Sequence, residues 1–404
     1  MIDIKYTKDC CGCWACIQVC PKKCINMSED NEGFLYPGID LSLCIDCGLC
    51  EKVCPVIHQG KERIPLKVYA AKSCNERIRL ESSSGGVFTL LAEKIITSGG
   101  VVFGARFDSN WEVVHDCVES IDALSALRGS KYVQSRIEDT FKKAECCIKE
   151  GREVLFCGTP CQISGLKLFL RKEYDNLIAV DFICHGVPSP GVWRQYLDEE
   201  FGMSERSEKR EKNTVLPSPK ALPILGISFR DKQSGWKKFS FVVRGRSALK
   251  ADKNSVLLSD RHYDNPFMKA FLSDLILRPS CYCCPAKGGK SGSDITLADY
   301  WGIQNVFPGF DDDKGVSAVM VNTLKGKRLF DMLCIEKHDS SYDYITKYNP
   351  SVLKSVAKSV YRETFMDFWA SGRKISDISE ELTEKMKPTF LQRVVNKFKR
   401  ILLK

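Results

Sequence analysis

The feature that most constrains this chain is a cysteine run that occurs twice near its amino terminus. Residues 10–21 read CCGCWACIQVCP and residues 44–55 read CIDCGLCEKVCP. In each run the ligand-type cysteines follow one another at intervals of three, three and four residues, and a proline comes directly after the last one. Three closely spaced thiolates can hold one face of a metal–sulfur cubane, while the fourth points away and reaches a neighbouring cluster. The sequence therefore predicts two interlocked 4Fe–4S sites.

Each predicted site takes three cysteines from one run and the last cysteine of the other run. The first front site is expected to use Cys10, Cys13, Cys16 and Cys54. The second front site is expected to use Cys44, Cys47, Cys50 and Cys20. Structural zinc sites also use paired Cys-x-x-Cys units, but they need neither the third spacing nor the two prolines. Residues 1–62 therefore resemble a two-cluster bacterial ferredoxin domain, in which Cys11 and Cys24 are interpreted as small hydrophobic residues.

From about residue 65 the pattern changes to alternating strands and helices, which indicates an α/β domain with a mixed sheet. The predicted strands are 67–73, 100–107, 111–118, 153–157, 177–184, 225–230 and 238–244. The predicted helices are 86–97, 137–148, 162–170, 191–201 and 268–277. A charge run and three prolines within 202–223 are typical of a surface insertion.

The last residues, 388–404, place apolar side chains on one helical face and basic side chains on the opposite face. A basic amphipathic helix can lie on an anionic membrane surface, so peripheral membrane contact is one interpretation. A terminal helix that docks on its own domain is the other interpretation, and we favour it.

The sequence also predicts where the chain resides. No stretch approaches the roughly 18 consecutive apolar residues of a membrane span, and the opening residues MIDIK are not typical of a signal peptide. The cytoplasm keeps thiols reduced. We therefore expect a cytoplasmic chain whose 21 cysteines serve metal binding rather than disulfides.

A second group of cysteines recurs at predicted strand ends and loops. Cys157 and Cys161 flank a strand-to-helix turn, Cys184 follows the next strand, and the segment CYCC covers residues 281–284. Side chains at the carboxyl ends of neighbouring parallel strands converge in open α/β sheets. Four thiolates from these loops could hold a third cluster, although isolated buried cysteines are common and inert. Spacing alone leaves both interpretations open.

Several spaced strings in this region carry a specific resemblance. They are SSSGGVFTLL (82–91), LRGSKYVQS (127–135), GTPCQISGL (158–166), ICHGVPSP (183–190), FRDKQSGWKKF (229–239), SDITLADYWGI (293–303) and DKGVSAVMVNT (313–323). Together they resemble the coenzyme F420 hydrogenase/dehydrogenase beta-subunit family over residues 65–335. The resemblance implies an FAD-binding domain with a 4Fe–4S cluster near the flavin. Residues 336–404, beyond the resemblance, are expected to form a helical carboxyl-terminal extension. Relatives in this family exchange a hydride with a deazaflavin or reduce substrates such as modified chlorophylls.

The resemblance also implies a ligand set for the third site. Its expected ligands are Cys161, Cys184, Cys281 and Cys284, whereas Cys157 and Cys283 match no ligand position of the family. One departure is Ala298, where relatives often carry glycine, and this places a close flavin contact there in doubt.

Candidate flavin-binding residues come from three strings. They are Ser83, Ser84, Gly85 and Gly86, then Ser130, Lys131 and Tyr132, then Gly158, Thr159 and Pro160. The serine–glycine string opens a predicted helix, whose free amides and dipole suit a diphosphate; a plain serine N-cap is the alternative. His185 is the candidate catalytic residue, as a proton donor to reduced flavin, although a histidine at a strand end is more often structural.

The function expected from these features is that of an iron–sulfur flavoprotein oxidoreductase. It would pass electrons between 4Fe–4S clusters and FAD for hydride exchange with a small molecule, such as a deazaflavin, and would use a ferredoxin-like carrier or larger complex as redox partner. The alternative is an electron-transfer adaptor of a larger complex without its own substrate. Nucleic-acid binding is disfavoured, because each oxidised cluster with four thiolates carries about −2 and three would offset most of the formal charge of +9.

Overall fold

The computed structural model describes residues 1–203, 223–246 and 255–387. The amphipathic helix expected at 388–404 and most of the insertion expected at 202–223 lie outside the described residues.

The doubled cysteine run folds into two similar halves. Each run forms a loop followed by a short helix, α1 (Ala15–Val19) in the first half and α2 (Leu49–Lys52) in the second. Both helices begin after a residue in the left-handed region, so the chain reverses direction just before the third cysteine of each run. Between the halves lies an antiparallel hairpin of β1 (Ile25–Glu29) and β2 (Leu35–Ile39).

The larger part of the chain is built on an eight-stranded mixed sheet in the order β13-β3-β12-β11-β7-β6-β4-β5. Its strands are β3 (Lys67–Ser73), β4 (Val101–Phe107), β5 (Val113–Val118), β6 (Val154–Gly158), β7 (Leu177–Phe182), β11 (Ile295–Asp299), β12 (Ser317–Val321) and β13 (Ile335–Ser340). The four central strands β4, β6, β7 and β11 are parallel, and the outer pairs are antiparallel. The central strands are almost entirely apolar, as expected for strands that are covered on both faces.

A separate three-stranded antiparallel sheet is formed by β8 (Ile224–Asp231), β9 (Ser240–Gly245) and β10 (Ser255–Arg261). Helices of the described chain that cover the two sheets are α3 (Glu76–Glu81), α4 (Val87–Thr97), α5 (Thr140–Lys149), α6 (Pro160–Leu170), α7 (Pro190–Phe201), α8 (Pro266–Leu272), α9 (Ile303–Val306), α10 (Leu324–Asp331), α11 (Tyr342–Tyr348), α12 (Arg362–Ala370) and α13 (Ile375–Met386). Short 3-10 turns lie at Thr7–Asp9, Ala123–Ala126, Pro279–Cys283, Pro308–Phe310 and Pro350–Val352.

An aromatic core joins the small sheet to the helices. Trp193 of α7 is fully buried, and its ring lies 4.9 Å from that of Phe267 and 5.2 Å from that of Phe229. Its indole Nε1 donates a hydrogen bond of 2.7 Å to the Trp111 carbonyl, so the polar end of the ring is also satisfied. This core fixes the small sheet beside the carboxyl ends of the central strands.

The expected mixed α/β architecture is confirmed, and among the boundaries that differ from those expected, three concern the site and the domain limits. The strand expected at 177–184 ends at Phe182, so Cys184 lies in the following loop. The helix expected at 268–277 ends at Leu272, because the chain turns at Asp274, which has a φ of 58°. The large sheet also continues through β13 to Ser340, beyond the boundary expected at 335.

Candidate functional site

A large cleft lies where the carboxyl ends of the central parallel strands meet. The loops that follow β6 and β7 line it, together with Asp299 at the end of β11 and residues of the small sheet. Its volume is about 990 Å³, at the upper end of the roughly 300–1,000 Å³ that ligand pockets occupy. This is the edge at which open α/β sheets bind their ligands.

The serine–glycine loop forms one wall of the cleft and is held by hydrogen bonds to three neighbouring segments. The hydroxyl of Ser83 accepts a 2.7 Å bond from the backbone N–H of Ser130. The hydroxyl of Ser84 donates to the Val316 carbonyl at 2.9 Å. Behind the loop, the Lys232 ammonium donates to three carbonyls, including that of Ser84 at 2.7 Å. The loop is therefore rigidly placed before any ligand binds.

Helix α4 begins at this wall with its first-turn amides uncapped. Its N-cap is Gly86, with a φ of 87°, and no side chain caps the helix. The serine N-cap considered from the sequence is therefore wrong. Thr89, in the first turn, is buried, and its hydroxyl oxygen has no hydrogen-bond partner within the described structure. Free amides, a helix dipole and a spare hydroxyl at one place suit a phosphate group.

Lys131 also lines the cleft, next to Ser130, which is hydrogen-bonded to the serine–glycine loop. Its ammonium donates to the carbonyls of Arg128 at 2.9 Å and Gly129 at 3.2 Å, and within the described residues it has no carboxylate partner. Burial lowers the pKa of this amine to about 7, because the charged form loses its hydration. An anionic ligand in the cleft would restore the charge.

Most of the residues expected to contact the flavin share this cleft. Those that line it are Ser83, Ser84, Gly86, Ser130, Lys131, Tyr132, Gly158 and Thr159. Gly85 does not line it, because the glycine packs against β3 and β12, where a Cβ would lie 2.4 Å from the Ala71 carbonyl. Pro160 also does not line it and instead faces the neighbouring group of cysteines.

Several other residues of the cleft were not expected from the sequence. Arg230 of β8 is buried, forms an ion pair with Asp299, and has a guanidinium that lies 4.3 Å from the Phe239 ring centroid. Its Nε and Nη2 atoms have no partner within the described structure. His115 of β5 is buried too, and burial lowers its pKa to about 4. Arg230 lies within a string that resembles the family, which could have identified it, whereas nothing in the sequence marks His115.

Beside the cleft, four cysteines from three loops surround a small cavity of about 60 Å³. They are Cys161, Cys184, Cys281 and Cys284, the set expected for the third site. Cys11, which belongs to the front unit (residues 1–62), lines the same cavity. Cys157 instead lines the cleft, and Cys283 is exposed. The backbone N–H of Val187 donates to the Cys281 sulfur at 3.4 Å. The donor set is that of a thiolate-bound iron–sulfur cluster.

The protonation of these thiols depends on their burial. Burial raises the pKa of Cys281 to about 12 and raises those of Cys184 and Cys284. The pKa of Cys161 is raised first by its contact with the Cys11 thiol and then by burial. Thiolates at this depth need a strongly positive partner, which an iron–sulfur core supplies.

The front unit contains two further cavities, each lined by cysteines of both runs. One is lined by Cys10, Cys13, Cys16 and Cys54, and the other by Cys20, Cys44, Cys47 and Cys50. The last cysteine of each run therefore crosses to the other group, which is the interlocked arrangement expected from the spacing. Cys11 lines the first cavity as well as the third site, and the Cys24 sulfur lies 3.4 Å from the Cys20 sulfur.

Nowhere in the described ranges are three or more Cys, His, Asp or Glu side chains close enough together to hold a single metal ion. A tetrahedral zinc site with bonds of about 2.3 Å would hold its sulfurs only about 3.8 Å apart. The cysteine groups instead surround cavities, an arrangement that fits a larger inorganic core.

His185 lies between the third site and the cleft. It lines both cavities and is half-buried. Its Nε2 atom lies 2.6 Å from Oδ1 of Asp274, and its ring packs edge-on against Phe271 at 5.6 Å. A carboxylate at this distance fixes the orientation of the imidazole.

Comparison with known proteins assigns the larger part of the chain to a family. The model of the coenzyme F420 hydrogenase/dehydrogenase beta subunit matches at its N-terminal part over residues 68–142 and at its C-terminal part over residues 151–339. The chain belongs to this family. A 4Fe–4S dicluster domain model matches residues 9–57, so the chain also carries an iron–sulfur domain of the ferredoxin type.

Curated relatives match parts of the chain. One subunit of the F420H2 dehydrogenase of Methanosarcina mazei is 23% identical over 180 residues, which cover 42% of this chain and 51% of that protein. The coenzyme F420-dependent sulfite reductase of Methanocaldococcus jannaschii is 29% identical over 168 residues, 39% of this chain and 24% of that protein. The chain thus spans about half the length of the first of these relatives and about a quarter of the second.

A ferredoxin and one solved structure are also similar to this chain. A 7Fe ferredoxin of Hydrogenibacillus schlegelii is 52% identical over 42 residues, 10% of this chain and 47% of that protein. A chain of the F420-reducing [NiFe] hydrogenase complex from Methanosarcina barkeri superimposes with a TM-score of 0.45 at 16% identity, covering 76% of this chain and 93% of that chain. Within the described ranges, no helix combines the length and apolar character needed to cross a membrane.

The cysteine cavity beside the cleft generates a direct test with a matched control. We predict that Cys284→Ser removes about four irons per chain, because one serine weakens a four-thiolate cluster site, and leaves both front sites loaded. Cys283→Ser, at the exposed neighbouring cysteine, should keep the wild-type iron content. Iron and sulfide analysis of anaerobically purified proteins measures both. Full iron in Cys284→Ser, or equal loss in both variants, would contradict the ligand set.

Proposed function

We propose that the chain is an iron–sulfur flavoprotein oxidoreductase with three 4Fe–4S sites and one FAD in the cleft. The observation that carries this proposal is that the cysteine cavity of the third site and the cleft share a wall, which includes Cys184 and His185. When bound, the clusters would supply one-electron transfer and the flavin would supply hydride chemistry.

The cysteine groups and the cleft are placed in a continuous series. Cysteines of both front sites pack in one buried cluster, and Cys11 borders both the first front site and the third site. Cys184 and His185 border both the third site and the cleft. Cys47, at the second front site, is exposed to solvent. The series therefore runs from a surface accessible to a redox protein to a cleft accessible to a small molecule.

The residues of the cleft have separate roles in this proposal. The amides of the first turn of α4, Ser83 and Lys131 would hold the diphosphate of FAD. Gly158 and Thr159 would bring backbone against the ring system. His185, oriented by Asp274 at 2.6 Å, would exchange a proton with the reduced flavin or the substrate.

Relatives suggest a class of substrate and partner. Two of them are named for reactions of coenzyme F420, and one is a subunit of a dehydrogenase. We propose a deazaflavin of this type as the hydride carrier and a ferredoxin-like carrier or larger complex as the electron partner. A chain with three thiolate-bound clusters is expected in the reducing cytoplasm.

The second candidate function is an electron-transfer adaptor without its own substrate. The doubled ferredoxin-type run favours it, because such units often serve only to carry electrons between other proteins. An adaptor needs no open ligand cleft beside the third site, whereas the oxidoreductase of the first proposal does.

Anaerobic turnover separates the two functions. We expect the loaded protein to oxidise at least one of reduced F420, NADH and NADPH with benzyl viologen as acceptor, and Cys284→Ser to lose most of this activity while retaining bound flavin. A flavin-loaded protein that exchanges hydride with none of the three carriers would contradict the enzyme function and favour the adaptor.

The buried amine of Lys131 predicts a pH-dependent affinity for FAD. Its pKa is lowered to about 7 in the free protein, and a bound diphosphate would raise it. The amine of Lys131 is therefore charged below about pH 7. Above about pH 7 the dissociation constant of FAD should rise, by up to roughly tenfold per pH unit. Fluorescence titration of the apoflavoprotein with FAD between pH 6 and 9 measures this rise.

Other titratable groups near Lys131 determine which control this prediction needs. Burial raises the pKa of Cys157 to about 12 and lowers that of His115 to about 4, so neither titrates in this range. Lys232, which supports the serine–glycine loop, has a pKa lowered by burial to about 7. Lys131→Arg keeps a charge at every pH and should flatten the profile. An unchanged pH dependence in Lys131→Arg would contradict the role of Lys131 and point to another titrating group, such as Lys232.

A further inference from the structure

Arg278 is a fully buried cation at the boundary between the front unit and the α/β part of the chain. It is 0% exposed. Its Nε donates to the Cys10 carbonyl at 2.8 Å, and its Nη2 donates to the Leu35 carbonyl at 3.0 Å. Its Nη1 donates to Oε1 of Gln134 at 2.9 Å. Every guanidinium nitrogen thus has a hydrogen-bond acceptor, and all three acceptors are uncharged.

The described residues provide no carboxylate in ion-pair contact with Arg278. The Asp30 carboxyl interacts with Arg278 only weakly, and burial is the largest cause at this group and raises its pKa. Asp30 Oδ1 accepts the backbone N–H groups of Glu32 and Phe34. Glu32 forms its ion pair with another buried arginine, Arg362. The Arg278 guanidinium also lies 4.1 Å from the Tyr36 ring centroid, a contact that supports a cation without neutralising it. An arginine cannot neutralise itself by losing its proton, so its buried charge favours an anionic partner.

The negative partners that the structure offers are cysteine sulfurs of two different sites. Nη2 of Arg278 lies 3.6 Å from the Cys10 sulfur, which belongs to the first front site. The Arg278 carbonyl accepts the backbone N–H of Cys281, a member of the third site, at 2.9 Å. The guanidinium also interacts electrostatically with Cys11 and Cys281. A 4Fe–4S core of charge 2+ with four thiolates carries a net charge of about −2. Arg278 is thus placed between two groups that are anionic when loaded.

We propose that Arg278 is a positioning residue whose charge is the counter-charge shared by the first front site and the third site. Its charge makes the reduction potentials of clusters at both sites more positive than they would be without it. This inference rests on the proposed function, because it requires clusters at both sites. Reduction adds one negative charge to a cluster, and a fixed cation nearby stabilises the reduced form. An N–H group directed at a ligand sulfur acts in the same direction.

The second front site provides an internal reference. None of its four cysteines is among the groups that contact Arg278 or interact electrostatically with it most strongly. Its potential should therefore change much less when Arg278 is altered.

The chain also offers a matched control variant. Arg362 is a buried arginine at the same boundary, 3% exposed, and it donates to the carbonyl of Leu277, the residue that precedes Arg278. Its charge is already balanced by Glu32, with bonds of 2.8 and 2.6 Å. Arg362→Met therefore removes a buried guanidinium at this boundary without removing a contact to a thiol.

The experiment is a potentiometric titration of anaerobic full-length protein, followed by electron paramagnetic resonance. In Arg278→Met we expect the midpoints of the first front site and the third site to shift to more negative potentials, with the second front site nearly unchanged. Arg278→Lys should keep the third site near its wild-type potential, because it retains the charge, and should still lower the first front site, because the bond to the Cys10 sulfur is lost.

The outcomes separate this inference from the proposed function. Loaded Arg278 variants with wild-type midpoints, or an equal shift in Arg362→Met, would overturn the role of Arg278 while leaving the oxidoreductase function intact. If Arg278→Met fails to retain iron, the midpoint potentials of Arg278→Lys test the role of Arg278: a more negative first front site supports it, and wild-type midpoints contradict it. Wild-type protein without a third cluster signal would instead refute the proposed function.

Discussion

The parallel pairing of β4, β6, β7 and β11 is the constraint on which the rest of the structure depends. It brings the carboxyl ends of these strands to one edge, so the chain must place the loops that follow them side by side. Cys161 follows β6 and Cys184 follows β7, and each enters the third site because of this pairing. The cleft lies along the same edge, which explains why the candidate cysteine ligands and the candidate flavin contacts share a wall.

The boundary between the front unit and the larger sheet is the second feature that positions the cysteine groups, and polar contacts cross it. Glu32 binds Arg362 across it, and Arg278 reaches Cys10 through it. The turn at Gly33, with a φ of 76°, packs against Gly191 at the start of α7 so closely that a Cβ would lie 2.5 Å from the Gly191 Cα. The front cysteines are therefore fixed relative to the cleft, which a separate carrier protein would not achieve.

The sequence was sufficient to predict what depends on local spacing or on the parallel-strand rule. The two front groups follow from spacing within each cysteine run, and Cys161 and Cys184 follow from strand ends. Long-range packing decided the rest. Gly85 turns inward because β3 and β12 pair beneath it, and Pro160 faces the cysteines because Thr159 caps α6 at that turn. Arg278 could not be identified, because its burial depends on how two units dock.

The most direct test of the account is a count of iron, acid-labile sulfide and flavin in protein isolated without oxygen. The account predicts about 12 irons, about 12 sulfides and one FAD per chain. About eight irons with no flavin would contradict it, since the cysteines beside the cleft would then hold no cluster and the cleft no flavin.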